Sequence, residues 1–208
     1  MDIVHPDIEG YLMRLLPPRD EVLLKMEKLA KEKNFPIVGP LVGRLLCQMA
    51  KVIGARRVFE FGSGFGYSAY WFSKGMEGQG RVILTDDDAE NARMARDFFQ
   101  RAGLEASMEL EVGDAFEIFD RKTGMFDIVF LDCEKERYPE AFDRALPRIR
   151  QGGLLIADNL LWFGRVIKRS PEPSVIGIQK FGQLIMTSPQ LLTTIVPLRD
   201  GVSISLKL

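Results

Sequence analysis

The stretch RRVFEFGSGFGYSA, residues 56–69, decides how the chain is read. A β-branched and aromatic run ends at Phe61, glycines follow at Gly62, Gly64 and Gly66, and a helical pattern runs from Tyr67 to Met76. A strand that passes through a glycine turn straight into a helix opens a strand-helix-strand unit, and bare backbone at the turn lets a ligand come close. Outward from it the alternation repeats. RVILTD precedes a helical stretch from Ala89 to Ala102, MELEV one from Ala115 to Asp120, FDIVFLD one from Pro139 to Arg150, and LLIAD ends the series. The pattern predicts an α/β fold, a mostly parallel sheet with helices on both faces.

Upstream, apolar residues at helical spacing (Val22, Leu23, Met26, Leu29, Ala30) predict helices between Pro6 and Leu46, broken at Pro17-Pro18 and Pro36. Downstream, residues 159–173 read as a loop and Val175 to Thr187 as a helix. Leu191 to Val196 and Val202 to Lys207 are strands too close together for a crossover, so the final strand should be antiparallel. One domain over residues 1–208, with N-terminal helices over about 1–50 preceding the sheet, accounts for the whole length.

The 28 basic and 29 acidic side chains and a pI near 6.0 create no positive field to gather nucleic acid or anionic membrane, so neither is expected as a partner. Cys47 and Cys133 lack metal-knuckle or disulfide spacing, and no apolar run is long enough to span a bilayer; a cytoplasmic location fits.

Strand ends are where an open α/β sheet binds ligands. The glycines run GxGxG rather than the GxGxxG of dinucleotide sites, and Glu60 just before them suits a cationic ligand better than a pyrophosphate. Asp86 ends the second strand, where an acid can accept from both ribose hydroxyls, and Gly113-Asp114-Ala115 follows the third, beside an adenine edge. This is the chain order an S-adenosylmethionine (AdoMet) site requires. Asp86 and Asp114 could equally cap the helices that follow them. The fourth strand runs out into Asp132-Cys133-Glu134-Lys135 and the fifth into Asp158-Asn159. Two carboxylates and an amide carbonyl are hard donors that favour Mg²⁺, or a similar divalent cation such as Mn²⁺ or Ca²⁺, over zinc. His5, the sole histidine, lies far off near the N-terminus. Lys135 could take a hydroxyl proton as general base, though lysines are more often solvated surface cations.

Taken together, FEFGSGFGYSA, GRVILTDDDAENA, AGLEASMELEVGDA, FDIVFLDCEKERY, GGLLIADNLLWFG and VPLRDG resemble the cation-dependent O-methyltransferases, the family of catechol and caffeoyl-CoA O-methyltransferases, from about Pro40 to Leu208. The resemblance implies a Rossmann-like seven-stranded sheet, and an AdoMet pocket lined by Glu60, Gly62, Ser63, Ser68, Asp86, Asp114, Ala115 and Asp132, with Val38 as a further wall. It implies a cation on Asp132, Asp158 and Asn159, Lys135 as base, a small aromatic acceptor with two adjacent oxygens, and a homodimer formed through the N-terminal helices. Departures fall at Asp87, Cys133, Gly182, Pro171 and Pro173. A metal-independent methyltransferase on another nucleophile and a non-catalytic AdoMet-binding protein are the alternatives; an NAD-linked reductase lacks its glycine spacing.

Overall fold

The computed structural model describes residues 3–208. Seven strands, β1 (Arg57–Phe61), β2 (Arg81–Asp86), β3 (Met108–Val112), β4 (Phe126–Leu131), β5 (Ile149–Ala157), β6 (Leu191–Val196) and β7 (Val202–Lys207), form one sheet in the order β3-β2-β1-β4-β5-β7-β6. β1 to β5 pair in parallel, and β7 runs antiparallel to both β5 and β6. This is the Rossmann-like sheet with an antiparallel final strand that the sequence predicts.

The helices are α1 (Pro6–Leu15), α2 (Glu21–Lys33), α3 (Gly39–Val52), α4 (Tyr67–Gly75), α5 (Ala89–Arg101), α6 (Ala115–Arg121), α7 (Tyr138–Ala145) and α8 (Pro173–Thr187). The period-two geometry of a strand divides the apolar run of β4 between two cores. Ile128 and Phe130 join Leu46, Phe72 and Phe99 on the side of α3, α4 and α5, whereas Val129 and Leu131 join Phe116, Tyr138 and Phe181 on the side of α6, α7 and α8. A strand buried on both faces therefore reads as continuous rather than alternating. Among the described residues no helix is long and apolar enough to cross a membrane.

Two local boundaries differ from expectation. The helix expected over Pro139 to Arg150 ends at Ala145, because Pro147 has no N–H to continue it; a 3-10 turn, Leu146–Arg148, follows. β5 accordingly begins at Ile149 rather than Leu154, with Ile149 paired to Phe126. The loop after β5 also holds 3-10 turns over Trp162–Ile167, and α8 starts at Pro173, a residue well suited to a first helical turn.

Strand order reverses between β1 and β4, so their carboxyl ends diverge into a crevice. On one side of that crevice α8 presses on the 3-10 turn Lys135–Arg137. A Cβ at Gly177 would fall 2.5 Å from Glu136 Cα and closer still to the Lys135 carbonyl oxygen. Gly177→Ala should therefore lower the unfolding free energy by about 1–3 kcal/mol, the usual cost of overpacking, measured by urea denaturation; an unchanged midpoint would show that the helix shifts freely.

Candidate active site

The crevice forms a cavity of about 490 Å³ over the carboxyl ends of β1, β2, β4 and β5. At one end it is lined by Val38, Gly62, Ser63, Ser68, Asp86, Asp114 and Ala115, and at the other by Asp132, Lys135, Asp158 and Asn159. Every candidate site residue read from the sequence is thus brought to one cavity except Glu60. That carboxyl is fully buried behind the glycine turn, accepts from the Ser68 hydroxyl, and does not line the cavity. Ser68, which does line the cavity, is bonded to one oxygen of that carboxyl, and the other oxygen is buried with no hydrogen-bond partner among the described residues.

The glycine turn is shaped by close approach. Gly62 has φ 81°, and a Cβ there would lie 2.8 Å from the Asp132 carbonyl oxygen. A Cβ on Gly64 would strike the Phe35 ring at 2.8 Å, so the α2–α3 connection lies directly on the turn. Asp86 is held rigidly. It accepts from Gly64 N–H at 2.9 Å, from Asp88 N–H at 3.0 Å and from the Asn91 amide at 3.0 Å. Asp88, not Asp86, caps α5. Asp114 does cap its helix, accepting from Phe116 and Glu117 N–H, while its other oxygen meets Arg137 at 2.6 Å. That guanidinium holds the Asp114 carboxyl below the usual carboxylate range.

The far end is built where β4 and β5 finish side by side. Asp132 N–H donates to the Phe61 carbonyl, and Asp158 N–H to the Leu131 carbonyl at 3.1 Å. Lys135 is buried and donates to Asp132 Oδ1 and to the Tyr138 hydroxyl, both at 2.9 Å. An ammonium has three protons, so one is left for the cavity. Tyr138, fully buried, shares its one hydroxyl proton between the Leu131 carbonyl at 3.0 Å and the Asp158 carbonyl at 3.1 Å and so fastens both strand ends to the lysine. Asp158 is 1% exposed, and its Oδ1 has no hydrogen-bond partner among the described residues. Burial first, and then the like charge of Asp132, push its carboxyl up. Burial also drives the Cys133 thiol up to about 12, which removes it as a thiolate nucleophile.

A family model described as O-methyltransferase matches residues 20–208. The chain belongs to this O-methyltransferase family. The O-methyltransferase is 29% identical to the catechol O-methyltransferase of Niastella koreensis, across 98% of this chain and 97% of that one. It is also 29% identical to the catechol O-methyltransferase of Mycobacterium tuberculosis, across 92% and 88%. Among solved structures, the Bacillus cereus O-methyltransferase in complex with SAH superposes with a TM-score of 0.88 at 29% identity, covering 97% of both chains. An O-methyltransferase of tomaymycin synthesis from Streptomyces achromogenes, in complex with SAM, gives 0.88 at 28%, covering 97% of this chain and 96% of that one.

Several residues of the O-methyltransferase cavity escaped the sequence reading. Phe35 and Ile37 enter from the α2–α3 connection, Trp162 and Phe163 from the loop after β5, and Arg199 from the β6–β7 turn. Asp200, 2% exposed, accepts from Phe163 N–H at 2.5 Å and from the Asn159 side-chain amide at 3.2 Å. Asn159, Trp162 and Phe163 all have positive φ, a cluster of non-glycine left-handed backbone that surroundings must hold in place. Only the VPLRDG motif hinted at this anchor.

Burial pushes the Glu60 carboxyl up to about 8, against smaller lowering by hydrogen bonds with Ser68 and Ser63. The folded state thus holds a proton that the unfolded chain releases above its ordinary value of 4.5. Its stabilising contribution is complete below that value and is lost as pH rises toward about 8. In ligand-free protein, Tm should fall from pH 5 to pH 9, and Glu60→Gln should flatten the profile. Parallel profiles for both proteins in calorimetry would refute the assignment.

Proposed function

We propose that this O-methyltransferase takes its methyl group from AdoMet and, with a divalent cation, transfers it to one of two adjacent oxygens on a small aromatic acceptor. The observation that carries the reading is the convergence of Asp132, Asp158, Asn159 and Lys135 at one end of a cavity whose other end holds the glycine turn, Asp86 and Asp114. The names of the catechol O-methyltransferase relatives, and the SAH and SAM in the solved neighbours, support it.

The donor set fits a hard cation. Asp158 Oδ1 is a buried oxygen lacking a hydrogen-bond partner, which is costly unless something positive satisfies it. Asp200 accepts from the Asn159 amide nitrogen, so the amide oxygen is turned away from Asp200 and left to act as a donor. With the Asp132 carboxylate these are the oxygen ligands that Mg²⁺, Mn²⁺ or Ca²⁺ takes. A bound cation would supply Lewis acidity and a fixed charge for two neighbouring acceptor oxygens. AdoMet supplies a methyl group made electrophilic by its sulfonium.

This chain's own groups do the rest. Gly62 and Ser63, with Ser68 backed by Glu60, bind the amino-acid part of the donor, Asp86 the ribose and Asp114-Ala115 the adenine, with Val38 as a wall. Lys135, fixed by Asp132 and Tyr138, would act as the neutral amine, one ammonium proton having first passed to solvent, and so take up the acceptor's hydroxyl proton as that oxygen attacks the methyl carbon and the sulfur leaves with the bonding pair. Trp162, whose ring centre is 5.9 Å from Lys135 Nζ, flanks the acceptor and keeps water out. Most of the rate then comes from holding the reacting oxygen against the methyl carbon. The homodimer belongs to the same reading: α1 buries none of its residues and exposes Ile8, Tyr11 and Leu15.

Two measurements test this. Lys135→Ala should lower kcat on a catechol by about 10²–10⁴-fold, the range of one general base, while SAH affinity by calorimetry stays within a factor of a few; retained turnover removes the base from Lys135. Chelation with EDTA should abolish transfer of labelled methyl to catechol, and Mg²⁺ or Mn²⁺ should restore it. Undiminished transfer in EDTA returns the protein to a metal-independent reaction.

A further inference from the structure

The cations that line the cavity are not equivalent. Lys135 is committed to Asp132 and Tyr138, and Arg137 to Asp114 and Glu140 while it covers the Phe116 ring. Arg199 differs. Its guanidinium donates no hydrogen bond among the described residues, and its one ion-pair contact is Asp158 at 3.8 Å, too long for a hydrogen bond. Five donors in a fixed planar fork thus stand half-buried at the end of the cavity where the acceptor would lie.

The backbone singles out the same residue. Arg199 has φ 53°, a conformation that glycine adopts without strain and a long side chain does not favour. The turn is held there by Gly201 N–H to the Leu198 carbonyl at 2.9 Å and by the Asp200 carboxylate bonded to the opposite loop. The fold therefore fixes an arginine at a position better suited to glycine and aims it at Asp158, whose oxygens the proposed function assigns to the cation. With that acid so engaged, the guanidinium has nothing of its own chain to bind. The loop opposite adds charge of the same sign: after Phe163 the sequence continues through Arg165, Lys168 and Arg169, and only Arg165 has an acid within ion-pair range among the described residues, Glu172 at 3.3 Å.

We propose that Arg199 is a specificity-determining residue that pairs with a carboxylate on the aromatic acceptor, so that the preferred substrates are acidic diols rather than neutral or cationic ones. This rests on the reading of the cavity as the site of a vicinal-diol acceptor. Arginine is well matched to the task, since two parallel N–H groups meet the two oxygens of a carboxylate. The competing role, in which Arg199 serves only as counter-ion to Asp158, makes no distinction between acceptors.

The test compares 3-(3,4-dihydroxyphenyl)propionate with its uncharged amide, in which two methylene groups insulate the ring from the change of charge. kcat/KM is measured for both with AdoMet and Mg²⁺ in the wild type, Arg199→Gln and Arg199→Lys, with Tm recorded for each protein. The wild type should favour the acid by about tenfold or more, the worth of one charge-assisted pair. That ratio should fall toward one in Arg199→Gln and be partly retained in Arg199→Lys. Calorimetric affinity of the acid for the SAH-bound protein should drop in parallel and weaken with added salt. If the wild type methylates both compounds equally, or if the ratio is the same in Arg199→Gln, the carboxylate assignment is wrong while the acceptor reading stands. If the wild type methylates neither these two nor catechol, the acceptor reading fails and takes this inference with it.

Discussion

The site depends on one short juncture, the place where β4 and β5 end level with each other. Asp158 N–H reaches the Leu131 carbonyl, and the Tyr138 hydroxyl bonds both that carbonyl and the one of Asp158. This register sets two aspartates on the same edge of the sheet, one of them almost fully buried. Like charges crowded away from water are expensive, and the expense is moderated by Lys135 and Arg199, whose charges lower the Asp158 pKa. A fold that only sought stability would place apolar residues there.

The two ends of the cavity are made by different means. Around the glycine turn, the Asp132 backbone and the Phe35 ring come close because Gly62 and Gly64 carry no side chains. Around Asp158 the wall is side chains on a loop with three left-handed non-glycine residues, and that loop is stitched to the β6–β7 turn through Leu160 and Leu161 N–H and through Asp200.

How much of this the sequence discloses follows from how local each signal is. Strand and helix alternation, the glycine turn, and the acids at strand ends are local, and Asp86, Asp132, Lys135, Asp158 and Asn159 accordingly all reach the cavity. The strand position of Glu60 is equally local, but that its carboxyl is fully buried and bonded to Ser68 follows only from the three-dimensional arrangement. Phe35, Arg199 and Asp200 were missed because each arrives from a remote connection and carries no periodic pattern. The early start of β5 depended on reading Pro147 as a helix stop, although apolar content alone favoured a longer helix.

The close seating of Gly177 against the Lys135 turn makes α8 a support for more than one part of the site. The helix secures Lys135 together with Tyr138, and through the Gln179 amide, which donates to the Val166 and Lys168 carbonyls, it also secures the loop that Asp200 holds from the opposite flank. Changes at the root of the loop therefore reach the lysine through this helix, whereas the loop's outward side chains can vary without touching it. In evolutionary terms such a shared buttress is a constraint: a lineage can diversify the tip of the loop freely, while its root is inherited together with the helix.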